Sequence, residues 1–297
     1  MRFITRIIAR QFRKHVEQQE SRKLERQCRD KIEQKYSGLA IALPLFRSVS
    51  GMSAALFVLF VCVPEARAMH ISEGILPFNW AVLWFCISLP FVTAGIYLLK
   101  KKVSSDLSMK PLVGLMAAVV FIISAMPIPV PTVGTCSHPC GTGISGILLG
   151  PFISTVVASI ALLIQALFLA HGGLSTLGAN ILSMGVVGSF AGFLGFRLMR
   201  LTGLPLYLSG FIAGLLADWA TYLTTSFELA LGIRGDSPFL PLFSKIVLAF
   251  IPTQLPLGVL EGAITGGMVV LLYKKRPDLL VKMGVILEQQ STRAVEP

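Results

Sequence analysis

The chain has 297 residues, of which 54% are hydrophobic and 14% are charged, and its mean hydropathy is +0.74. Soluble globular domains carry about 25% charged residues, so this composition indicates a membrane protein. The 86 positions from Pro111 to Phe196 contain no Asp, Glu, Lys or Arg, whereas one membrane-spanning helix needs only about 20 apolar residues. These features exclude a cytosolic enzyme, a disordered chain and a nucleic-acid-binding module.

The net charge of +11 is concentrated at the amino end of the chain. Residues 1–50 contain 12 Lys and Arg against 5 Asp and Glu, a balance of +7, whereas residues 69–297 contain 13 against 9, a balance of +4. The basic excess therefore belongs to the beginning of the chain, where it is typical of a targeting segment.

We interpret residues 1–68 as a leader that is removed. An apolar core from Gly51 to Pro64 is followed by Ala66-Arg67-Ala68, the small-x-small pattern that signal peptidase accepts. Cleavage there would make Met69 the first residue of the mature chain. In the alternatives, the apolar segment stays as an anchor or translation starts further downstream. Because the basic arm stays in the cytoplasm, we expect Met69 on the outer side of the membrane.

The rest of the chain predicts an all-α, polytopic bundle over residues 69–276, followed by a cytoplasmic tail at 277–297. Six apolar segments are visible, at 78–99, 111–128, 144–171, 178–196, 204–231 and 244–273. The positive-inside rule places Lys110 and Arg197 on one side, which needs an even number of spans between them, yet three segments lie there. Either 144–171 breaks near Gly150-Pro151, or Arg197 disobeys the rule. We favour the break, with about seven crossings.

A possible metal chelate opens the mature chain, at Met69-His70-Ile71-Ser72-Glu73-Gly74. A free Met69 amine, the His70 backbone nitrogen and the His70 ring Nδ1 can close adjacent chelate rings around one ion. A fourth nitrogen in that plane would complete a tetragonal site, which suits Ni(II) or Cu(II) and can also hold Co(II). The alternative is that His70 is an interfacial histidine at the start of the first span.

The fourth nitrogen is expected from His138, in the loop Gly134-Thr135-Cys136-Ser137-His138-Pro139-Cys140-Gly141. In the predicted topology it is the other histidine of an outer loop, and the flanking proline and glycines allow the backbone to bend inward. Alternatively, it is a loop histidine without a partner. Cys136 and Cys140 could be soft ligands, a disulfide or two inert small residues, and we do not assign them as ligands.

Several polar residues lie within the apolar segments. Carboxylates at membrane depth are functional candidates by default, and Glu261, in I-P-T-Q-L-P-L-G-V-L-E-G, could serve in packing or metal passage. Structural roles are favoured for Asp218 and Glu228. Gln165 and Thr176 are expected to tie helices together. Asn180 could do the same, or it could hydrogen-bond to a metal ligand and so support the site. His171 is a weak metal candidate that lies outside only if 144–171 breaks.

Four stretches together resemble the CbiM/NikM family, the substrate-binding membrane subunits of energy-coupling-factor (ECF) transporters for cobalt or nickel. They are M-H-I-S-E-G-I-L-P (69–77), G-I-L-L-G-P (146–151), L-L-I-Q-A-L-F-L-A-H-G-G-L-S-T-L-G-A-N (162–180) and M-G (184–185). The resemblance runs from Met69 to about Lys275. It implies an ECF substrate-subunit bundle in which Met69, His70 and His138 bind the ion. The two cysteines around His138 depart from the family's pattern.

The resemblance also implies a mode of transport and a set of partners. The sequence contains no G-x-x-x-x-G-K-[ST] phosphate loop, so uphill uptake would need separate ATPase subunits and a coupling membrane subunit. A small CbiN/NikN-type membrane subunit is a further implied partner. Co(II) or Ni(II) is then a transported substrate, and we expect no cofactor, no nucleic-acid partner and a location in the inner (cytoplasmic) membrane.

Two other functions remain open from the sequence. An intramembrane metallohydrolase would use His70, His138 and a carboxylate around zinc, with an open coordination position and a general base. No H-E-x-x-H motif is present to support it. The other is a membrane protein in which the histidines bind no metal.

Overall fold

The computed structural model describes residues 70–126, 128–130 and 135–288, with the side chains of 128–130 and 135–137 excepted. All of these residues belong to one compact unit, residues 63–297. The predicted leader and Met69 lie outside the described residues, so the cleavage and the free amine stay predictions.

The described residues confirm the expected all-α membrane fold. The helices are α1 (Phe78–Ser105), α2 (Met109–Ser124), α3 (Thr142–Leu149), α4 (Pro151–Phe168), α5 (Leu177–Asn180), α6 (Ser189–Leu201), α7 (Leu206–Ile233), α8 (Phe239–Lys275) and α9 (Pro277–Lys282). A π-helical stretch, Ile181–Gly188, joins α5 to α6 without a break. Two short strands, β1 (Ile128–Val130) and β2 (Thr135–Ser137), pair antiparallel between α2 and α3.

Five of these helices are long and apolar enough to cross a membrane: α1, α4, the continuous helix Leu177–Leu201, α7 and α8. The apolar helix α2 is shorter, with 16 residues. Helix α3 has 8 residues, all buried, and is only about 12 Å long, whereas the hydrocarbon core of a bilayer is about 30 Å thick. The count of seven crossings therefore stays a prediction, although every predicted apolar segment contains a helix.

The apolar segment 144–171 does break, at Gly150. Gly150 has φ 82° and ψ 161°, a conformation available essentially to glycine alone, and Pro151 begins α4 at a position where a missing N–H costs nothing. The residue that lies before α3, His138, and the residue that lies after α4, His171, are close in space, with ring centroids 5.1 Å apart. Helices α3 and α4 thus form a re-entrant hairpin that starts and finishes at one end of the bundle.

The opposite end of the bundle carries most of the basic residues of the described part of the chain. Lys282 forms an ion pair with Asp106, in the turn between α1 and α2, and Arg197 donates to the backbone oxygen of Gly284. With the hairpin counted as two helices, the number of helices between Lys110 and Arg197 is even, as the positive-inside rule required. We call this end, where α1, α6 and α8 finish, the basic end.

The first residues of the predicted tail pack on the bundle. Leu280 in α9 is fully buried and Ile286 is nearly so, and both belong to the main hydrophobic core. The domain boundary at residue 276 stays a prediction, since residues 289–297 lie outside the described part of the chain.

Small residues let the hairpin pack deep in the bundle. A Cβ added at Gly192 would lie 2.9 Å from the Cα of Gly143 in α3, so neither position has room for a side chain. The hydroxyls of Ser145, Ser154 and Ser189 form a buried chain with O···O distances of 2.6 and 2.7 Å, linking α3, α4 and α6. These contacts fix the loop that carries His138.

Candidate metal centre

Three histidines meet at the end of the bundle opposite the basic end. His70 precedes α1, His138 lies between β2 and α3, and His171 follows α4. Their ring centroids are 4.6, 4.9 and 5.1 Å apart, and each offers a ligand nitrogen within 4.8 Å of the others. His70 and His138 are buried and His171 is half-buried. The sequence singled out the first two, and the break at Gly150 adds the third.

Hydrogen bonds determine which nitrogen of His70 is free for a metal. Nε2 of His70 lies 3.0 Å from Oε1 of Gln165, whose own Nε2 donates to the Ser124 hydroxyl at 2.6 Å. With the amide oriented in this way, His70 Nε2 carries the proton and donates it to Gln165. Nδ1 of His70 therefore keeps its lone pair, as is usual for a metal ligand whose other nitrogen is held by a neighbour.

In His138 the nitrogen that is free for a metal is Nε2 rather than Nδ1. Its Nδ1 lies 3.0 Å from the backbone oxygen of Pro139, which can only accept, so Nδ1 carries the proton. Nε2 of His138 and Nε2 of His171 are both buried without a hydrogen-bond partner among the described residues. Buried polar atoms are normally paired, so these two unpartnered nitrogens are suited to an ion.

Burial keeps the three imidazoles neutral at neutral pH. It lowers the pKa of His138 to about 3 and the pKa of His171 to about 4. The pKa of His70 lies well below its ordinary value, first because of burial and second because two other histidines are close. A neutral imidazole is the form that binds a metal, so the cluster is prepared for a cation.

The segment that carries His70 is held by the beginning of α5. The backbone N–H of Ile71 donates to Oδ1 of Asn180 at 2.9 Å, and the Ile71 oxygen accepts from Asn180 Nδ2 at 3.3 Å and from the Thr176 hydroxyl. Both backbone groups next to His70 are thereby fixed. The predicted supporting role of Asn180 has a clear geometric basis, one residue away from the candidate ligand.

The turn before α5 closes around the same segment. Ala170 has φ 48°, which is uncommon for a residue other than glycine, and it directly precedes His171. Gly172 has φ +84°, and a Cβ there would lie 3.0 Å from the Cβ of His70. The Glu73 carboxylate accepts from the backbone N–H of Ser175 at 3.1 Å, which pins the end of the segment.

The His138 loop is held by α7 and α8. The Tyr222 hydroxyl donates to the backbone oxygen of His138 at 2.9 Å. The Glu261 carboxylate accepts from the backbone N–H groups of Cys140 at 2.5 Å and Gly141 at 2.9 Å. Glu261 thus positions the histidine loop, and its predicted part in metal passage remains untested. Cys140 is a buried free thiol.

Several supporting residues could not be assigned from the sequence. Gln165 was predicted only to tie helices together, and Tyr222 was not predicted. Both touch candidate ligands from distant parts of the chain. His171 had one indirect signal, the parity of spans between Lys110 and Arg197. Asp218 lies beside Cys140, with Oδ1 3.9 Å from Sγ, whereas Glu228 is buried outside the histidine cluster.

The fold and site define a polytopic helical membrane protein with a buried imidazole cluster at one end of its bundle. Residues 70–279 match the model of CbiM, the cobalt uptake substrate-specific transmembrane region. The chain belongs to this family.

Curated relatives cover most of the described bundle. The "Cobalt transport protein CbiM" of Geobacter sulfurreducens is 70% identical over 221 residues, 74% of this chain and 64% of that protein. The protein of the same name from Sorangium cellulosum is 52% identical over 218 residues, 73% of this chain and 97% of that protein. The match therefore spans slightly less than two thirds of the Geobacter protein and nearly all of the Sorangium protein.

Two solved structures share the fold. The crystal structure of a transition metal transporter has a TM-score of 0.61 and 30% identity, covering 69% of this chain and 93% of that chain. The structure of a truncated transition metal transporter has a TM-score of 0.60 and 30% identity, covering 69% and 98%. The family membership inferred from the sequence motifs is thus confirmed.

Proposed function

We propose that this chain is the substrate-capture membrane subunit of a transition-metal uptake transporter. The observation that carries the proposal is the meeting of three neutral imidazoles, two buried and one half-buried, with the Nε2 atoms of His138 and His171 unpartnered in the described residues. Relatives named as cobalt transport proteins make Co(II) the first candidate substrate, with Ni(II) as the second.

The ion is held by the Met69 amine, the His70 backbone nitrogen, His70 Nδ1 and His138 Nε2. Support comes from Gln165, which leaves free the one His70 nitrogen that can close a chelate ring with its own backbone nitrogen. Such a nitrogen set is tetragonal, and His171 adds a third imidazole beside it. A carboxylate, which a zinc metallohydrolase would need, is absent from the histidine cluster as far as the described residues reach.

Transport follows from capture, handover and release. The ion arrives at the outer side, exchanges its waters for protein nitrogens, and leaves toward the basic end. Energy for uphill uptake comes from separate ATPase subunits acting through a coupling membrane subunit, together with a small CbiN/NikN-type subunit. The chain lies in the inner membrane, with its mature amino end outside, because most of the basic residues lie at the other end.

The test is equilibrium binding of Co(II), Ni(II) and Zn(II) to purified protein that begins at Met69. The matched control carries one extra alanine before Met69, which converts the amine into an amide bond. We expect tight Co(II) or Ni(II) binding that the extra alanine abolishes. Zinc-only binding would favour the metallohydrolase, and no binding would favour a protein without a metal role; either result contradicts the proposal.

A further inference from the structure

A second group of metal-ligating side chains lies beside the histidine loop. Cys140, Asp218 and Glu261 are buried, and their thiol sulfur and carboxylate oxygens lie within 4.8 Å of one another. They come from three elements: the loop before α3, helix α7 and helix α8. No short sequence motif contains them, because 78 and 43 residues separate the three positions.

Contacts among the described residues leave this group incompletely satisfied. Glu261 accepts two backbone N–H groups and shares a side-chain hydrogen bond with Asp218, but Oδ2 of Asp218 is buried and accepts from no N–H group in the described part of the chain. The residue itself is 0% exposed. Ion pairs in the described residues, Arg276–Asp278 and Lys282–Asp106, lie at the basic end, so neither buried carboxylate is paired with a basic side chain there. Uncompensated carboxylates are costly at membrane depth.

The group lies closer to the basic end of the bundle than the histidines do. Cys140 follows His138 by two residues, a distance of at most about 7 Å along the chain. Asp218 lies one helical turn, about 6 Å, from Tyr222, whose hydroxyl holds His138. Asp218 is nearer than Tyr222 to the start of α7, and this start lies at the basic end. An ion that leaves the histidines toward that end therefore meets Cys140, Asp218 and Glu261 next.

We propose that Cys140, Asp218 and Glu261 form a second site for a divalent transition-metal ion, which receives the ion from the histidine cluster. This role as a receiving site rests on the proposed function. A thiolate with two carboxylates suits borderline ions such as Co(II), Ni(II) and Zn(II), and the thiolate selects against Mg(II) and Ca(II). The thiol loses its proton to solvent as the metal–sulfur bond forms.

The spacing of the donors fits a transient site. Around an ion with metal–ligand bonds of about 2.2 Å, tetrahedral donors would be about 3.6 Å apart. The donors lie within 4.8 Å of one another, and Sγ of Cys140 is 3.9 Å from Oδ1 of Asp218, so the side chains move slightly inward to close on an ion. Movement of this kind weakens binding, which a site on a transport path requires if the ion is to leave again.

Co(II) titration of purified protein that begins at Met69 tests this site, because thiolate-to-cobalt charge transfer produces an ultraviolet absorption that nitrogen ligands do not. We expect a first ion without this band and a second, weaker ion with it. Cys140→Ser should abolish the band and keep the first ion, and Asp218→Asn should weaken the second ion at least tenfold. Cys86→Ser is the matched control, since Cys86 is an exposed free thiol, and it should change nothing.

The variant His70→Ala separates this site from the histidine site. If both exist, it removes the first ion and leaves the sulfur band. If the wild-type chain shows the band but its nitrogen-bound ion is missing, the proposed function fails while the second site stands. Saturation of the wild-type chain without a sulfur band, or a band that survives Cys140→Ser, would overturn the second site. Retention of the first ion shows that Cys140→Ser and Asp218→Asn have folded, and retention of the sulfur band shows it for His70→Ala.

Discussion

Gln165 holds the imidazole of His70 from behind, with Oε1 of the amide 3.0 Å from Nε2 of the ring. Since Ser124 orients the amide from its other side, the ring is fixed in both tautomer and direction. The lone pair that remains, on Nδ1, is the one that can share an ion with the His70 backbone nitrogen. A residue 95 positions away thus decides how the candidate chelate is arranged.

Gln165→Leu should weaken Co(II) binding about 10- to 100-fold, the range seen when a residue that orients a metal ligand is lost. The substitution keeps an apolar side chain of similar size but removes the acceptor for His70 Nε2. Equilibrium binding measures the effect. Ser124→Ala is the control that removes the bond from Gln165 Nε2 and the hydroxyl's own bonds within α2 but keeps the acceptor for His70, and it should cost less. Equal affinity of Gln165→Leu and wild type would show that Gln165 does not orient the ligand.

Gly172→Ala should reduce both stability and metal affinity, whereas Gly203→Ala should reduce stability alone. Both glycines have positive φ, +84° and +80°, where a Cβ costs about 1–2 kcal/mol. Only at Gly172 would the new Cβ meet His70, at 3.0 Å; at Gly203 nothing lies within 4 Å. Thermal unfolding and Co(II) affinity of the two variants separate the effects. Similar loss of affinity in both would contradict a specific contact with His70.

Asn180→Leu should destabilise the segment that carries His70. The change leaves the buried N–H of Ile71 without an acceptor, which costs about 1–3 kcal/mol. Asn180→Asp keeps the acceptor and should lose less. Ser183→Ala, one turn further along the chain, removes hydrogen bonds to the backbone oxygens of Ala179 and Asn180, leaves the Asn180 side chain in place, and serves as the control. Thermal unfolding and Co(II) affinity report the result; a larger loss in Ser183→Ala would contradict the role of Asn180.

The sequence predicts the bundle well because apolar length and charge are local properties. Each of the six apolar segments contains a helix. Gly150-Pro151 marks the break, because glycine tolerates the unusual backbone conformation and proline is favoured at the first position of a helix. The π-helical stretch Ile181–Gly188 was not predicted, since its apolar pattern does not differ from that of an ordinary helix.

The site is predictable only where its residues are close in sequence. Met69 and His70 suggest a chelate because they are adjacent, and His138 stands out because of its glycine-flanked loop. His171 joins them only through the re-entrant hairpin, and the support from Gln165 and Tyr222 depends on packing between helices. The group formed by Cys140, Asp218 and Glu261 likewise exists only after folding.

The pH dependence of binding should distinguish the amine chelate from a site made of histidines alone. The pKa of His138, about 3, and the pKa of His171, about 4, mean that protons do not compete for these rings near neutral pH. A free amine has a pKa of about 7.7–8.0, and the backbone amide must also lose its proton.

Affinity should therefore fall as the pH decreases from about 8 to 6, roughly tenfold per pH unit for each proton that the ion displaces. Co(II) binding at several pH values measures the slope. The chain with an added alanine before Met69 is the control, and any residual binding should be nearly flat over this range. A flat profile in the chain that begins at Met69 would exclude the amine and the amide as ligands.

The stability of the metal-free chain should also depend on pH through these histidines. Their pKa values are lowered in the folded chain, so below about pH 6.5 the unfolded chain takes up protons that the folded chain does not. The stability that neutral His138 and His171 contribute is present above about pH 6.5 and is lost as the pH falls toward about 4 and then about 3. Thermal unfolding of wild type and His138→Ala should converge in acid; a constant difference would contradict the lowered pKa values.

X-ray absorption of Co(II), added at less than one equivalent to chain that begins at Met69, tests metal capture most directly. We expect a first shell of nitrogen with the outer-shell scattering of imidazole rings, and weaker imidazole scattering in His138→Ala, in which only the His70 ring remains of the two ligand imidazoles. A first shell of oxygen, as in hydrated Co(II), or a spectrum unchanged by His138→Ala would show that the ion is not held by these histidines.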